Sequence, residues 1–433
     1  MRSLACIAIL CASPVFAADV SESALEVHGQ ATYVRQFKPS FSAAYTGPNS
    51  LRSEREWAYT FTSTLFFAVR PEDGVEIYFN PEFVQGVPFS GLLGLGGFSN
   101  GEAQKTAGPQ LRSYRARLFL RRTWNLGGEL EEQESDLNQV KTRHTAERFV
   151  VTAGNVSVLD VFDVLDYSHD PRTQFLNWSS MTYGAWDYPA DARGYTWGLA
   201  GEYITSRWQL RVGRFLVSAE SNGLRLDQAL MKRYGDVAEL EVPYKLAGRS
   251  AIARALWFRN RVNAGAFDDA SASGAAAGTV PDLSLVRRAQ SKHGFGLSTQ
   301  VELAENLGAY VRAGWSDGKT ETFMFTEIDR SLAAGALIKG GGWGRPEDTV
   351  GVAAYINGLS RPHRDYLAAG GRGFFLGDGR LNYATERIFE VFYSLAVVKK
   401  TYLSLGYQRI ANPGYNRDRG PADFFSLRFH TEL

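Results

Sequence analysis

The sequence predicts an all-β fold, a transmembrane antiparallel β-barrel of about 16 strands with a constriction loop or short helix in its lumen. Apolar and polar side chains alternate at two-residue spacing in many segments, most clearly in residues 423–433 (DFFSLRFHTEL). The composition combines 27 Phe, 20 Tyr and 9 Trp with a mean hydropathy of only -0.23. Beyond the N-terminus, no stretch approaches the roughly 18 apolar residues that a spanning helix needs. A sheet that shows lipid only alternate residues and leaves no edge unpaired must close on itself.

The N-terminal residues 1–17 have the pattern of a secretory signal peptide. Arg2 supplies the positive charge, residues 4–12 the apolar core, and residues 15–17 (VFA) a small-residue cleavage site. We therefore expect the mature chain to be residues 18–433, organised as one barrel domain.

The cysteines and the charge balance narrow the function further. Cys6 and Cys11 both lie in the signal segment, so the mature chain is predicted to have neither thiols nor disulfides although it enters an oxidising compartment. Without Arg2, 46 basic residues (47 minus 1) face 46 acidic ones, a formal net charge of zero. This balance does not favour a nucleic-acid partner.

Strand candidates follow one another along the whole chain. Residues 27–36 are the first, and we expect them to pair with residues 423–433 and close the barrel. The candidates are residues 27–36, 59–69, 75–79, 113–124, 148–158, 195–203, 208–215, 237–246, 251–261, 294–303, 307–315, 320–328, 349–357, 389–397, 402–410 and 423–433. The longer predicted loops are residues 38–55, 86–108, 129–147, 159–193, 268–282, 360–387 and 412–421.

Three arginines stand out in the strand candidate 113–124. On a regular strand Arg115, Arg117 and Arg121 point to one face and form a basic ladder. An arginine facing lipid at the bilayer midplane costs about 2–4 kcal/mol, so the ladder is expected to line the aqueous interior. The alternative interpretation is that these arginines neutralise facing acids and keep the wall rigid.

The loop 159–193 carries a dense acidic patch. Its members are Asp160, Asp163, Asp166, His169 and Asp170. The first three recur at every third residue, as on one side of a helical turn. A long, partly helical loop between two barrel strands lies outside the barrel or narrows its lumen, and a constriction is the functional interpretation.

Several segments resemble the carbohydrate-selective outer-membrane porins of the OprB family. They are residues 94–105 (GLGGFSNGEAQK), 160–163 (DVFD), 169–178 (HDPRTQFLNW), 186–198 (WDYPADARGYTWG) and 412–433. The resemblance implies a 16-stranded porin in the outer membrane of a Gram-negative bacterium, admitting sugars and other small polar solutes through an arginine-rich eyelet. By position, Arg115, Arg117 and Arg121 look like members of that eyelet.

Two further features of the sequence bear on this resemblance. The chain ends in Leu433, where outer-membrane barrels commonly end in Phe for recognition by the barrel insertion machinery. Residues 45–51 (YTGPNSL) and 169–178 are also similar to a subgroup described as high-affinity manganese porins. The assembly, a homotrimer or a monomer, is left open by the sequence.

Two transport hypotheses and one enzyme hypothesis follow. In the first, sugars diffuse passively, with the arginines donating and the acidic patch accepting hydrogen bonds, and Phe119, Tyr167 or Trp178 contacting sugar rings. In the second, Asp160, Asp163, Asp166, His169 and Asp170 guide Mn²⁺, with Asp163, Asp166 and His169 as tentative ligands, although the arginine ladder repels cations. The third hypothesis is an outer-membrane enzyme such as a phospholipase or protease. None of the 6 histidines lies in a recognisable nucleophile motif, so no enzyme is predicted. No cofactor is predicted either.

Overall fold

The computed structural model describes residues 25–106 and 108–433, and the predicted signal peptide lies outside the described residues. Within them, sixteen strands form one closed antiparallel barrel in which each strand pairs with its neighbours in sequence. The strands are β1 Leu25–Lys38, β2 Glu56–Glu72, β3 Val75–Val87, β4 Gly108–Gln133, β5 Thr142–Val156, β6 Thr196–Ile204, β7 Gln209–Phe215, β8 Tyr234–Leu246, β9 Arg249–Ala264, β10 Arg288–Ala304, β11 Leu307–Ser316, β12 Arg330–Gly340, β13 Arg345–Gly358, β14 Glu386–Val398, β15 Thr401–Ala411 and β16 Ala422–Glu432. The predicted fold class and strand number are confirmed.

The barrel closes between its first and last strands. Residues Gln30 to Phe37 of β1 pair in register with Glu432 to Phe425 of β16. The backbone N–H of Leu433 donates to the carbonyl of Gly29 at 2.9 Å. Closure satisfies the backbone groups of both edges, which lipid cannot do. The predicted pairing of the two terminal strands is thus confirmed.

The two faces of the wall have opposite polarity. On β1 the inward side chains Gln30, Thr32 and Gln36 are buried, whereas Val27 and Tyr33 point outward and are exposed. The same alternation recurs around the barrel, so that large apolar side chains cover the outside. Loops packed inside the barrel supply the apolar core, as in the stack of Trp178, Tyr188 and Phe325.

The connections differ between the two ends. One end has short turns, at residues 73–74, 205–208, 247–248, 305–306, 341–344 and 399–400, together with the β4–β5 hairpin tip at 134–141, and the other has long loops. In barrels of this kind the short turns face the periplasm and the long loops the exterior. The described helices are α1 Trp178–Met181, α2 Phe267–Ala277 and α3 Arg361–Ala368. None of them is long and apolar enough to cross a membrane.

Two sequence predictions about this loop end were wrong. Residues 320–328 form a loop rather than a strand, and the strand is Arg330–Gly340, because carboxylates satisfy the loop backbone: Asp187 accepts from the N–H groups of Phe323 and Met324. The segment 268–282, predicted as an exposed mobile loop, contains most of α2. Phe267 at its start is buried and stacks on His363 with ring centroids 4.2 Å apart.

Candidate functional site

The long segment between β5 and β6, residues 157–195, crosses the lumen of the barrel. Two buried arginines on strands distant in sequence hold it. Arg312 of β11 donates to the carbonyl of Ser180 at 2.7 Å, and Arg428 of β16 donates to the carbonyl of Pro171 at 2.7 Å. The segment contains the short helix α1, so the predicted constriction element with a short helix is confirmed.

Buried carboxylates on the strands fix the same segment through its backbone. Glu390 of β14 accepts from the N–H groups of Leu176 at 2.6 Å and Asn177 at 3.2 Å. Glu239 of β8 accepts from the N–H of Asp163 at 2.8 Å. A buried carboxylate must be compensated by donors, and here the donors are loop amides. The segment is therefore positioned by groups on several sides of the wall.

A second segment, residues 88–106, also turns inward and packs against the first. The N–H of Gly101 donates to the carbonyl of Leu176 at 2.8 Å. Its glycines permit close packing, since a Cβ on Gly96 would lie 2.3 Å from the hydroxyl of Tyr415. The glycine-rich sequence predicted only a loop here, so the contribution of this segment to the site was not predicted.

Where the two segments meet β3, charged side chains form a cluster around Glu82. Arg172 approaches the Glu82 carboxylate at 2.6 Å and that of Glu102 at 3.0 Å. Lys105 lies 3.2 Å from Glu102, and the hydroxyl of Tyr195 donates to Glu82 at 2.9 Å. Glu82 is fully buried, while Arg172 and Lys105 retain partial exposure. The cations of this cluster therefore border open space.

Arg117 and Arg121 extend the charged surface along the inner face of β4. Arg117 forms a bidentate pair with Asp160 at 2.7 and 2.6 Å. Arg121 lies 3.4 Å from the carboxylate of Glu76. Burial alone would raise the pKa of the Asp160 carboxyl, but the Arg117 guanidinium outweighs it and holds that pKa below its usual range. Asp160 is therefore a charged acceptor at neutral pH.

Arg115 does not share this face, which corrects the predicted three-arginine ladder. Asn80 pairs with Arg117 and the next residue, Pro81, pairs with Arg115, so that Ala116 has no pairing partner on β3. Such a bulge reverses the inward and outward alternation of the strand on one side of it. The Arg115 guanidinium is exposed and lies 5.1 Å from the ring centroid of Trp197, which is outward on β6.

The acidic patch also differs from its prediction. Only Val158–Asp160 forms a helical turn, and Asp163 has a positive φ of 57° that breaks any helical repeat. The Asp163 carboxylate is buried and lies 3.1 Å from Arg312. Asp166 is exposed and accepts from Gln300 at 2.6 Å. The three carboxylates therefore point to different partners.

His169 and Asp170 follow on the same segment. The Nδ1 atom of His169 is buried without a hydrogen-bond partner in the described structure, and burial lowers the pKa of its imidazole. Asp170 accepts from the N–H of Arg172 at 2.8 Å. Within residues 25–106 and 108–433, no group of three or more His, Cys, Asp or Glu side chains is placed to hold a metal ion. The tentative manganese ligands Asp163, Asp166 and His169 thus do not form a site.

Two cavities of about 380 Å³ each lie at the short-turn end, one on either side of the crossing segment. The first is bordered by Asp166 and Tyr167, and the second by Asp160 and Arg121. Tyr167 lies flat against Gly308, where an added Cβ would be 2.1 Å from the ring. Of the three proposed ring contacts, Tyr167 borders a cavity.

The other two proposed ring contacts, Phe119 and Trp178, are buried in aromatic packing. Phe119 stacks on Tyr78 with centroids 4.6 Å apart, and Trp178 stacks on Phe325 with centroids 5.0 Å apart. Both side chains are at most 3 % exposed, which prevents them from contacting a solute.

The β4–β5 hairpin forms one wall of the second cavity. Its strands lose regular pairing at Gly127 and Gly128, which have φ of 151° and 88°. Beyond this point the tip turns toward β1 and β3, where the side chain of Asn138 accepts from Asn80 at 2.5 Å and Val140 is buried. The hairpin therefore bends across part of the short-turn mouth.

Comparison with known proteins agrees with this architecture. The family described as carbohydrate-selective porin, OprB family, matches residues 48–433. The high-pH structure of OprB from Pseudomonas putida superposes with a TM-score of 0.68 at 15% sequence identity, covering 95% of this chain and 94% of that chain. The outer membrane channel DcaP of Acinetobacter baumannii gives a TM-score of 0.51 at 10% identity, covering 94% and 97%.

No curated protein sequence matches the chain. The family and structural matches do not support the manganese-porin subgroup, and the described part of the chain holds no cluster of metal ligands. Because the family match spans most of the sequence and the fold is that of outer-membrane channels, the chain belongs to the carbohydrate-selective porins of the OprB family, which lie in the outer membrane of Gram-negative bacteria.

Proposed function

We propose that this protein is a passive channel for carbohydrates and other small hydrophilic solutes, with its selective zone where the segment 157–195 meets β3 and β4. The observation that carries this proposal is the crossing segment itself, held by Arg312 of β11, Arg428 of β16 and Glu390 of β14. A segment fixed in this way narrows the water-filled lumen to a zone whose walls are charged side chains. Passive diffusion through such a zone needs no catalytic group and no cofactor.

The chemistry of this zone suits sugars. Each hydroxyl of a sugar both donates and accepts hydrogen bonds, so a selective channel offers fixed groups of both kinds. Arg117 and Arg172 supply donors and Asp160 supplies an acceptor in the zone, while Asp166 supplies an acceptor beyond it, beside Tyr167. Tyr167, beyond the zone toward the short-turn end, offers a ring face to the apolar side of a sugar.

The balance of charge favours neutral solutes. Four cations and four carboxylates form the zone, giving a formal charge of zero: Lys105, Arg117, Arg121 and Arg172 with Glu76, Glu82, Glu102 and Asp160. A cavity lined by one sign of charge would concentrate ions of the opposite sign. A balanced zone does so only weakly, which leaves hydrogen bonding as the main determinant of selectivity.

Planar-bilayer recording of the purified protein tests this function. We expect stepwise, weakly ion-selective conductance that falls when glucose or a maltose-type sugar is added. A polyethylene glycol of similar size serves as the control for simple occlusion of the lumen. Block by Mn²⁺ without block by any sugar would contradict the proposal.

For the route to the membrane, we propose that residues 1–17 direct export and that the barrel insertion machinery then folds the chain into the outer membrane. The exposed terminal Leu433 stands at the end of the closing strand, where that machinery commonly finds Phe. A homotrimer is the proposed assembly. Chemical cross-linking in intact outer membranes tests it, and exclusively monomeric products would contradict it.

A further inference from the structure

The outer wall of the barrel carries a row of charged side chains across β7 to β10, toward the long-loop end. Cross-strand pairing places Arg214 opposite Asp236, Asp236 opposite Arg259, and Arg259 opposite His293. Arg261 lies two residues beyond Arg259 on β9. These positions share the outward parity of Trp257, which is exposed on the same strand. The row therefore faces the membrane and not the lumen.

Two arginines of this row lack partners. Arg214 forms a bidentate pair with Asp236 at 2.7 and 2.9 Å, and His293 lies 3.2 Å from Asp317. The side chains of Arg259 and Arg261, in contrast, make no hydrogen bond or ion pair with any described residue. Because alternate residues of a strand are roughly 6.8 Å apart, both guanidiniums can reach one anion between them. The surface thus has an excess of positive charge at the level of lipid headgroups.

An apolar groove begins directly below these charges on the same wall. It has a volume of about 540 Å³ and starts beside Arg214 and Asp236. Small outward residues, Gly201 and Ala238, form its floor. Bulkier side chains border it: Phe149, Leu199, Val212 and Trp257. Because it opens toward the hydrocarbon of the bilayer, an alkyl chain fits its chemistry.

We propose that this face binds a phosphorylated lipid of the outer leaflet, with a phosphate between Arg259 and Arg261 and an acyl chain in the groove. Arginine binds phosphate through paired, charge-assisted hydrogen bonds. Along the barrel axis, the cations lie nearer the long-loop end and the groove lies deeper in the membrane. This order matches that of headgroup and acyl chain in the leaflet. This site is separate from the lumen and independent of the transported solute.

A second copy of the chain fits this face less well. It would need outward carboxylates at the same level to meet Arg259 and Arg261. In the described strands the outward carboxylates of that level are Asp236 and Asp423, already paired with Arg214 and Arg409. Charge complementarity therefore favours the lipid.

The test uses the purified full-length protein in detergent, titrated with diphosphoryl lipid A and followed by native mass spectrometry. The wild type is expected to retain one lipid per chain. Because each hydrogen bond to a charged group is worth about 1.5–3 kcal/mol, the double variant R259Q/R261Q should bind the lipid at least about tenfold more weakly. The matched control R35Q/R409Q removes two outward arginines of the same level on β1 and β15, and should bind as the wild type does.

Two further experiments distinguish a bound lipid from free phosphate or a second copy of the chain. Filling the groove with Ala238→Trp should also weaken lipid binding at least about tenfold by excluding the acyl chain, and it keeps the test valid if R259Q/R261Q fails to fold. Inorganic phosphate alone should form no stable adduct. Equal lipid binding by R259Q/R261Q and the wild type would overturn the proposal. So would phosphate binding without lipid binding, or disulfide cross-linking of two chains through Ala238→Cys.

Discussion

Ala116 decides which arginines of β4 face the channel. Pro81, on the neighbouring strand, has no N–H to donate to a ladder, and Ala116 is left unpaired beside it. The bulge turns Arg115 outward toward Trp197 while Arg117 meets Asp160 inside. Sequence alternation alone could not reveal this change of face, because nothing in the pattern of β4 marks the missing partner.

The first prediction compares these two arginines. Arg117→Gln leaves Asp160 unpaired in the narrow zone, so the channel should become more cation-selective. A unit charge about 4 Å away is worth about 1 kcal/mol in a water-like medium, so the permeability ratio of cation to anion should rise by up to about fivefold. The matched control Arg115→Gln removes the same charge from the outer face and should leave the reversal potential in a KCl gradient unchanged. Equal shifts in both variants would show that Arg117 does not line the narrow zone.

The second prediction concerns the ring of Tyr167. Gly308→Ala places a methyl group where the Tyr167 ring lies, 2.1 Å from its nearest atom, and so displaces the ring. If the ring contacts a sugar with about 0.5–1 kcal/mol, the sugar concentration for half-block should rise about two- to fivefold. The control Gly342→Ala adds a methyl group at a turn glycine with nothing within 4 Å. Unchanged block in Gly308→Ala would exclude Tyr167 from the sugar path.

At the scale of elements, the outer loops are joined by buried charges. Ser360 caps α3 by accepting from the N–H of His363 at 3.2 Å. The Nδ1 atom of His363 lies 2.9 Å from Asp329, and its Nε2 atom lies 3.6 Å from Glu327. Burial alone would lower the pKa of His363, but Asp329 and then Glu327 outweigh it and raise that pKa to about 9. The α3 loop is thus tied to the loop before β12 by a charged histidine.

The third prediction follows from this raised pKa. An unfolded histidine has a pKa of about 6.5, so the ion pair contributes its full stability below about pH 6.5. That stability is lost as the pH rises through about 9. Between pH 7 and about pH 10, hydrogen exchange of residues 359–385 should therefore accelerate by more than the rise in the intrinsic exchange rate with pH. His363→Gln should remove this additional acceleration. The same additional acceleration in both proteins would mean that another group controls the loop.

The fourth prediction concerns the bent β4–β5 hairpin. Gly128 adopts a φ of 88° that favours glycine, and a Cβ there would lie 3.2 Å from that of Ala146. Gly128→Ala should loosen the bend and raise single-channel conductance, because the tip no longer covers part of the short-turn mouth. Gly248→Ala, at another left-handed glycine of the same end with open space around it, controls for backbone strain alone. Equal conductance in the two variants would show that the hairpin does not restrict the mouth.

At the scale of the whole molecule, the barrel was predictable and much of its interior was not. Alternation in segments such as 423–433 reports which solvent each face meets, and this pattern extends through the strands that form the wall. The lumen depends on pairings between residues far apart in sequence. Arg312 meets Asp163 and Arg428 meets the carbonyl of Pro171, and no local pattern encodes these contacts. Lys105, Glu102 and Arg172 were missed for the same reason.

The last prediction tests directly whether the outer face of the barrel meets lipid while the inner face meets water. Leu427 lies outward near the middle of β16 and is exposed. Leu427→Arg should make folding into lipid vesicles less favourable by about 2–4 kcal/mol, whereas the same change at the strand end, Leu433→Arg, should cost about 0–1 kcal/mol. Urea-dependent folding into vesicles measures both values. Because the two substitutions introduce the same charge and differ in depth, equal costs would mean that the outer face of β16 does not cross a hydrocarbon layer, and the assignment of inner and outer faces would fail with it.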